Sequence, residues 1–464
     1  MDRVKDLFLN KYVCLFFCLL IIALLGVQNF YFPKTHSDTM LHYVAARAYM
    51  EDPKSLFVGN NDSRLIDIYG GHSTYPPVFR LANIPFLWNP SVLSFIVCAA
   101  IIILLWFIDP TASVFMGTSS LFFYWSGQAD TGVFVALMGL VAYILLRAKK
   151  PKLIYLAALI AGLSPLTKPM FGYLMLPAGM IYLFFNLDKK TRIKTIVIFA
   201  LIFLVPSILW SLRMWYVVGD PLIGHTPISF RGRMGLPKDG EFLFRGQMKS
   251  LEQYYGEKIK PFETFGLNYS FLQVDLLFYL IIPALIFYRK KISFEWVFAA
   301  GMVLLYIVAF VTRFQLGQFF QARYLLVAYP FFTLLASDLY KRIAFKPKFF
   351  IVMIFLIEAG YFSIMCAMNW TFSKEILKAF EYAKYDSNDT INAYHGWAAE
   401  FYTGRRYDPS STNNIDVFPF DGPEGKIYLY GYMTKDYFVF WDSQEDSFLK
   451  IDLKTGLVNE VNIK

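Results

Sequence analysis

Five stretches of this chain, Val13–Val27, Phe95–Ile108, Val133–Leu146, Thr195–Trp210 and Ile351–Met368, are apolar over most of a bilayer width. No soluble core requires so many separate apolar runs of that length. With 56% hydrophobic and 17% charged residues, the composition places the chain among multi-pass membrane proteins. The expected fold class is an all-α polytopic membrane protein followed by a small extracytoplasmic α+β or β-rich domain. Hydropathy places about eleven spans, at 12–32, 81–108, 111–127, 129–147, 153–167, 169–186, 194–217, 273–289, 293–312, 322–340 and 349–370. The segment 81–108 also reads as an interfacial helix followed by a span. Asp109-Pro110 predicts a tight turn between two spans.

The first span is followed by Asn, Tyr, Phe and Pro rather than small residues, so it reads as a retained anchor. The four cysteines, Cys14, Cys18, Cys98 and Cys366, all fall in apolar runs and give neither a disulfide framework nor metal-ligand spacing. No metal site and no cofactor is expected.

Charge then orients the helices. The formal net charge of +9 is gathered in short loops around Lys11, Arg147–Lys152, Lys189–Lys194, Arg289–Lys291 and Lys341–Lys348. By the positive-inside rule these loops are cytoplasmic, and nucleic acid is excluded as the reason for the charge. The alternate loops are longer and more aromatic: 33–80, 127–128, 167–169, 218–272, 313–321 and the region after 370. The N-terminus is therefore expected in the cytoplasm and the C-terminal domain outside. The cytoplasmic loops hold no phosphate-binding glycine motif and no room for a nucleotide domain. Chemistry on the outer side has no nucleotide supply, so its donor must already reside in the membrane.

The outer loops carry the candidates. Asp38 lies just beyond the first span, and Thr39–Met50 reads as a helix lying on the membrane, with Ser37 or Asp38 as its N-cap. Asp38 is either that cap or a general base, since a carboxylate at an apolar boundary can be tuned toward neutrality. Tyr75-Pro76-Pro77 forms a stiff re-entry turn. Lys168, on the side where positive charge is least expected, is either a snorkelling lysine or a phosphate partner. Arg323, entering the membrane before Tyr324, is a candidate bidentate phosphate ligand. His36, Tyr75, Gln128 and Arg231 are the candidate substrate-binding positions. Most other charges in loop 218–272 read as solvated.

Asp38 with Tyr43-Val44-Ala45-Ala46, then Thr74-Tyr75-Pro76-Pro77, Gly127-Gln128 and Gly162…Thr167-Lys168-Pro169, resembles glycosyltransferase family 87 over about residues 10–190. Arg323-Tyr324 followed by Pro330 is similar to a late-helix pattern of the GT-C superfamily, to which that family belongs. The resemblance implies a metal-independent, inverting mannosyltransferase that uses a polyprenyl-phosphate sugar as donor. It implies Asp38 as base and Lys168 and Arg323 as the cations on the leaving phosphate. The acceptor would be a glycolipid, glycan or protein, and the location a bacterial plasma membrane. The Trp-Trp-Asp signature of oligosaccharyltransferases is absent, as is the Asp-Glu pair of protein O-mannosyltransferases.

After Thr371 the composition changes. Ser373–Tyr385 has helical character, and Lys426–Met433, Tyr437–Trp441 and Phe448–Leu453 alternate like strands. The division expected is 1–370 for a transmembrane catalytic module and 371–464 for an outer domain, open to an envelope-assembly partner. Two other functions compete: a carrier or flippase for a lipid-linked saccharide, and a non-catalytic scaffold of a polysaccharide-assembly complex. A carrier predicts polar residues at mid-membrane, whereas here the candidates gather at one surface.

Overall fold

A computed structural model describes residues 10–31, 37–57, 77–127, 131–218, 276–287, 293–311 and 322–343. In the C-terminal region it describes 377–384, 390–393, 406–407, 414–422, 425–434, 436–442, 447–455 and 457–461, and it adds the single residues 221 and 403. Helices dominate the first part and a seven-stranded sheet the second. The predicted span 349–370 and loop 218–272, apart from Val218 and Leu222's predecessor Pro221, lie outside the described residues.

Helix α1 (Lys11–Tyr31) has 21 residues, about 30 Å at 1.5 Å per residue, the thickness of a bilayer's hydrocarbon core. Helix α2 (Ser37–Glu51) runs into a 3₁₀ turn at Pro53–Leu56, capped by the Asp52 carboxylate, which accepts from the Lys54 N–H. After Pro77 comes the short α3 (Val78–Asn83), a 3₁₀ turn at Ile84–Phe86, and then α4 (Pro90–Ile108). The stretch 81–108 is thus a short helix leading into a span, the second of the two readings.

Asp109 ends α4 in an extended conformation and caps α5 (Pro110–Thr118) through bonds from Thr111 and Ala112 N–H. The single helix expected over 111–127 is two, α5 and α6 (Ser120–Gly127). Ser119 is extended between them, and its hydroxyl accepts from the Phe122 N–H. Onward run α7 (Thr131–Arg147), α8 (Pro151–Leu163), the single turn α9 (Pro169–Gly172), α10 (Met175–Asn186) and the 30-residue α11 (Lys189–Val218). Then come α12 (Leu276–Phe287), α13 (Phe294–Val311), a 3₁₀ helix at Ala322–Ala328 and α14 (Tyr329–Arg342).

Among the described residues, three helices, within α1, α4 and α11, are long and apolar enough to cross a membrane; the segments of α7, α8, α10 and α13 are apolar but shorter. This is a membrane protein. Large apolar side chains on α1 and α11, such as Phe16, Leu19, Leu201 and Leu209, stay exposed on the molecule, as lipid-facing residues do. The interior lies on α5 and α14, where Thr111–Gly117 and Tyr329–Ser337 are buried. Cys14, Cys18 and Cys98 are buried and form no disulfide with one another, in line with their reading as small core residues. Close approach fixes α8 against α11: a Cβ on Gly162 would sit 2.9 Å from the Cα of Phe203, too near for any side chain.

The helix ends sort into two groups. At one end the Lys341 ammonium meets the Asp109 carboxylate at 2.6 Å, and Ser337 donates to the same oxygen at 2.9 Å. At the other, Ser126 donates to Gln28 Oε1 at 3.4 Å and the Ser94 hydroxyl donates to the Ser126 carbonyl. Joining the start of α4, the end of α1 and the end of α6 is what alternating spans require.

The C-terminal sheet consists of β1 (Thr390–Ala393), β2 (Arg406–Tyr407), β3 (Asn414–Gly422), β4 (Gly425–Met433), β5 (Tyr437–Asp442), β6 (Ser447–Asp452) and β7 (Val458–Val461). Its order is β2-β1-β3-β4-β5-β6-β7, antiparallel from β3 onward and parallel where β1 meets β2 and β3. A helix over 377–384 lays Tyr382 against Tyr432 and Phe448, so the region is α+β. The β6–β7 turn is held by Asp452, whose carboxylate accepts from Lys454 and Thr455 N–H. Those bonds keep its carboxyl below the usual aspartate range.

Candidate active site

Helix α2 sets the frame. Asp38 lies in its first turn. Met40, His42, Tyr43, Val44, Ala45, Ala46, Ala48 and Tyr49 are all buried, which takes in both faces. The helix expected at the membrane surface is thus packed inside the protein. Small residues at 45, 46 and 48 let α2 sink between its neighbours.

Helix α3 docks on α2 through two contacts. The His42 ring meets Phe79 edge-on at 5.3 Å, and Arg80 donates to the Tyr49 hydroxyl at 3.4 Å. Arg80 is only 1% exposed. A guanidinium so deeply buried is a functional candidate that the sequence analysis did not single out. Its signal was present: a lone cation three residues past the Pro-Pro turn, inside an apolar run.

The end of α11 closes the same region. Arg213 donates from Nε to the Leu56 carbonyl at 2.8 Å, and its guanidinium stacks on Trp210 at 4.6 Å. The turn that ends α2 is thereby tied to α11. Trp210 and Met214 in turn pack with Leu166, with Val78 and Leu163 against them.

Lys168 sits at the end of a tight turn after α8. The buried Ser164 hydroxyl donates to the Ala161 carbonyl at 2.5 Å and lies 3.3 Å from that of Gly172. The Lys168 N–H donates to the Ser164 carbonyl and its own carbonyl accepts from Gly172, both at 3.0 Å. The Val78 N–H reaches the Leu166 carbonyl at 3.2 Å, joining the Pro77 re-entry to the lysine turn. The Lys168 ammonium stands 4.5 Å from the centre of the Tyr324 ring. Phe171 packs on that ring at 5.4 Å.

Gly172 makes this arrangement possible. A Cβ there would lie 2.5 Å from the Ser164 carbonyl carbon and 2.8 Å from the Pro165 Cα. Gly172→Ala must therefore push the lysine turn aside. We expect about 1–3 kcal/mol of destabilisation from such overpacking, read by thermal unfolding in detergent, and with it a loss of whatever Lys168 does.

The structure thus brings together the Pro77 re-entry, the Lys168 turn and the 3₁₀ helix that carries Arg323. Arg323 immediately precedes Tyr324, whose ring Lys168 faces. Asp38 belongs to the helix packed on α3 next to them. His36, Tyr75, Gln128 and Arg231 lie outside the described residues. Among the described residues, no group of histidine, cysteine, aspartate or glutamate could hold a metal ion.

No protein-family model and no curated protein matches the sequence. Solved structures do match in fold. The apo oligosaccharyltransferase of Archaeoglobus fulgidus aligns at TM-score 0.50 and 13% identity, covering 86% of this chain and 65% of that one. The same protein with zinc and sulfate aligns at TM-score 0.47 and 14% identity, covering 84% and 62%. This chain spans a little under two thirds of the length of that enzyme. At such identity the likeness concerns the fold alone.

Proposed function

We propose that this chain is a GT-C membrane glycosyltransferase that moves a sugar, mannose by its family 87 resemblance, from a polyprenyl-phosphate donor to an acceptor outside the cytoplasm. The observation that carries this reading is the meeting of the Lys168 turn, the Arg323–Tyr324 segment and the Pro77 re-entry, beside the helix of Asp38, in a GT-C fold. Sequence-distant elements that each held a candidate converge at one end of the helices.

In the proposed reaction Asp38 takes the proton of an acceptor hydroxyl. The acceptor oxygen forms a bond to the anomeric carbon as the bond from that carbon to the phosphate oxygen breaks, inverting the configuration. Polyprenyl phosphate leaves with the electron pair. Lys168 and Arg323 hold its phosphate as negative charge develops, which fixed cations in a low-dielectric site do effectively. The chemistry calls for no cofactor, and the expected partners are membrane lipids, the lipid-linked donor and a glycolipid, glycan or protein acceptor. The module at 1–370 would carry the reaction in a bacterial plasma membrane, with 371–464 facing outward to an acceptor or envelope-assembly partner.

Sealed proteoliposomes discriminate this reading from a carrier. With labelled polyprenyl-phosphate mannose on one side and acceptor lipids present, a transferase releases polyprenyl phosphate and labels the acceptor. A carrier moves intact donor to the other leaflet, and a scaffold does neither.

A further inference from the structure

The ring of Tyr324 has no place in the reaction just described, yet it meets the Lys168 side chain directly. The Lys168 ammonium stands 4.5 Å from its centroid, within the range where the negative face of an aromatic ring attracts a cation. The ring does not choose this position alone. Phe171, three residues after Lys168 and on the far side of Pro169, packs on it at 5.4 Å with the planes 30° apart. Tyr324 therefore touches the lysine turn at two points, one cationic and one apolar.

A lysine has four rotatable bonds and a strongly hydrated head group. Left to itself beside a bilayer, it would spread over many rotamers and snorkel toward water. A phosphate arriving at the site would then have to order that side chain first, and ordering a rotamer-rich side chain subtracts from affinity. The aromatic face removes much of that penalty by keeping the ammonium near the phosphate position before the donor binds. The contact is weaker than a charge-assisted bond to phosphate, so the ammonium leaves the ring when the donor offers its oxygens.

We infer that Tyr324 is a positioning residue for the donor phosphate: its ring parks the Lys168 ammonium and hands it to the phosphate on binding. This rests on the donor reading above. The chemistry recognised is a phosphate monoanion or dianion esterified to a long apolar chain. A free phosphate lacks that chain, so it gains less from the site.

The test uses the full-length protein in nanodiscs, with a fluorescent polyprenyl monophosphate as the binding probe and inorganic phosphate as the second arm. Tyr324→Phe keeps the face and is expected to bind like wild type. Tyr324→Leu is expected to weaken binding by roughly threefold to tenfold, the range of a partly desolvated cation–π contact, with KM raised and kcat little changed. Adding Tyr324→Leu to Lys168→Ala should cause no further loss. Should the leucine variant fail to fold, fluorinated phenylalanines at 324 keep the shape while draining charge from the ring face, and affinity should fall stepwise with fluorine number. Equal affinity across the fluorinated series, or additive losses in the double variant, overturns the inference while leaving the donor reading intact. Wild-type protein that binds no polyprenyl phosphate, or binds inorganic phosphate as tightly, overturns both.

Discussion

Asp38→Asn is expected to lower sugar transfer by at least about a thousandfold, near the upper part of the range for removing a general base. Asparagine is nearly the same size, keeps the ability to cap the start of α2, and cannot take a proton from an acceptor hydroxyl. The contrast separates the two roles open to Asp38. As a cap, its replacement by asparagine would change stability by a few tenths of a kcal/mol and activity hardly at all, because both side chains cap well. As a base, it should leave thermal unfolding unchanged and remove transfer. The check is a pair of measurements on the same preparation: the unfolding midpoint in detergent and the initial rate with saturating donor. A variant with full activity would reduce Asp38 to a cap.

Lys168→Ala should reduce kcat by about a hundredfold to a thousandfold, the loss that follows removal of one preorganised group facing developing charge. The leaving phosphate gains negative charge as the glycosidic bond breaks, so the cation contributes more in the transition state than in the bound donor. Donor affinity should also weaken, by a smaller factor, and the larger effect on kcat is the signature of transition-state stabilisation. Arginine at this position would keep the charge but not the fit. Its planar fork is bulkier than an ammonium and would have to share the space that the Lys168 head group occupies beside the Tyr324 ring. Partial recovery in Lys168→Arg, together with unchanged unfolding, would support an electrostatic role. Unchanged kcat in Lys168→Ala, measured at saturating donor, would leave only a snorkelling lysine.

The membrane class was legible from apolar runs alone, because a bilayer demands length and low polarity regardless of tertiary detail. The last residues of α1, α4 and α11 fall within one residue of the span ends expected there, whereas α4 starts at Pro90 rather than 81 and α11 at Lys189 rather than 194. The break at Ser119 was not legible: 111–127 is apolar throughout, and hydropathy does not register a hydroxyl that caps a new helix within an apolar run. The strands at 425–433, 437–442 and 447–452 followed from period-two alternation and turn residues. Strand β3 did not, because Pro419 and two aspartates interrupt its pattern. The burial of α2 was missed for a related reason. Alanines at 45, 46 and 48 carry almost no periodic signal, yet they permit the closest packing.

At the site, Lys168 was legible as a cation on the side where the charge rule does not expect one. Its contact with Tyr324 was not, since 156 positions separate the two and only the fold brings them together. Arg80 and Arg213 show the same limit from the other side. Sequence shows a cation in or beside an apolar run, but burial at 1% and a bond to the Leu56 carbonyl depend on neighbours far along the chain.

The central claim, that this fold transfers a sugar from a lipid phosphate, is tested most directly by one measurement. Purified protein is incubated with polyprenyl-phosphate mannose labelled in the sugar and with membrane acceptor lipids, and the label is followed together with the anomeric configuration of the product. The account predicts label in the acceptor with inverted configuration, in wild type and not in Asp38→Asn. Label that stays on polyprenyl phosphate in both proteins, across the acceptor classes proposed, would contradict it.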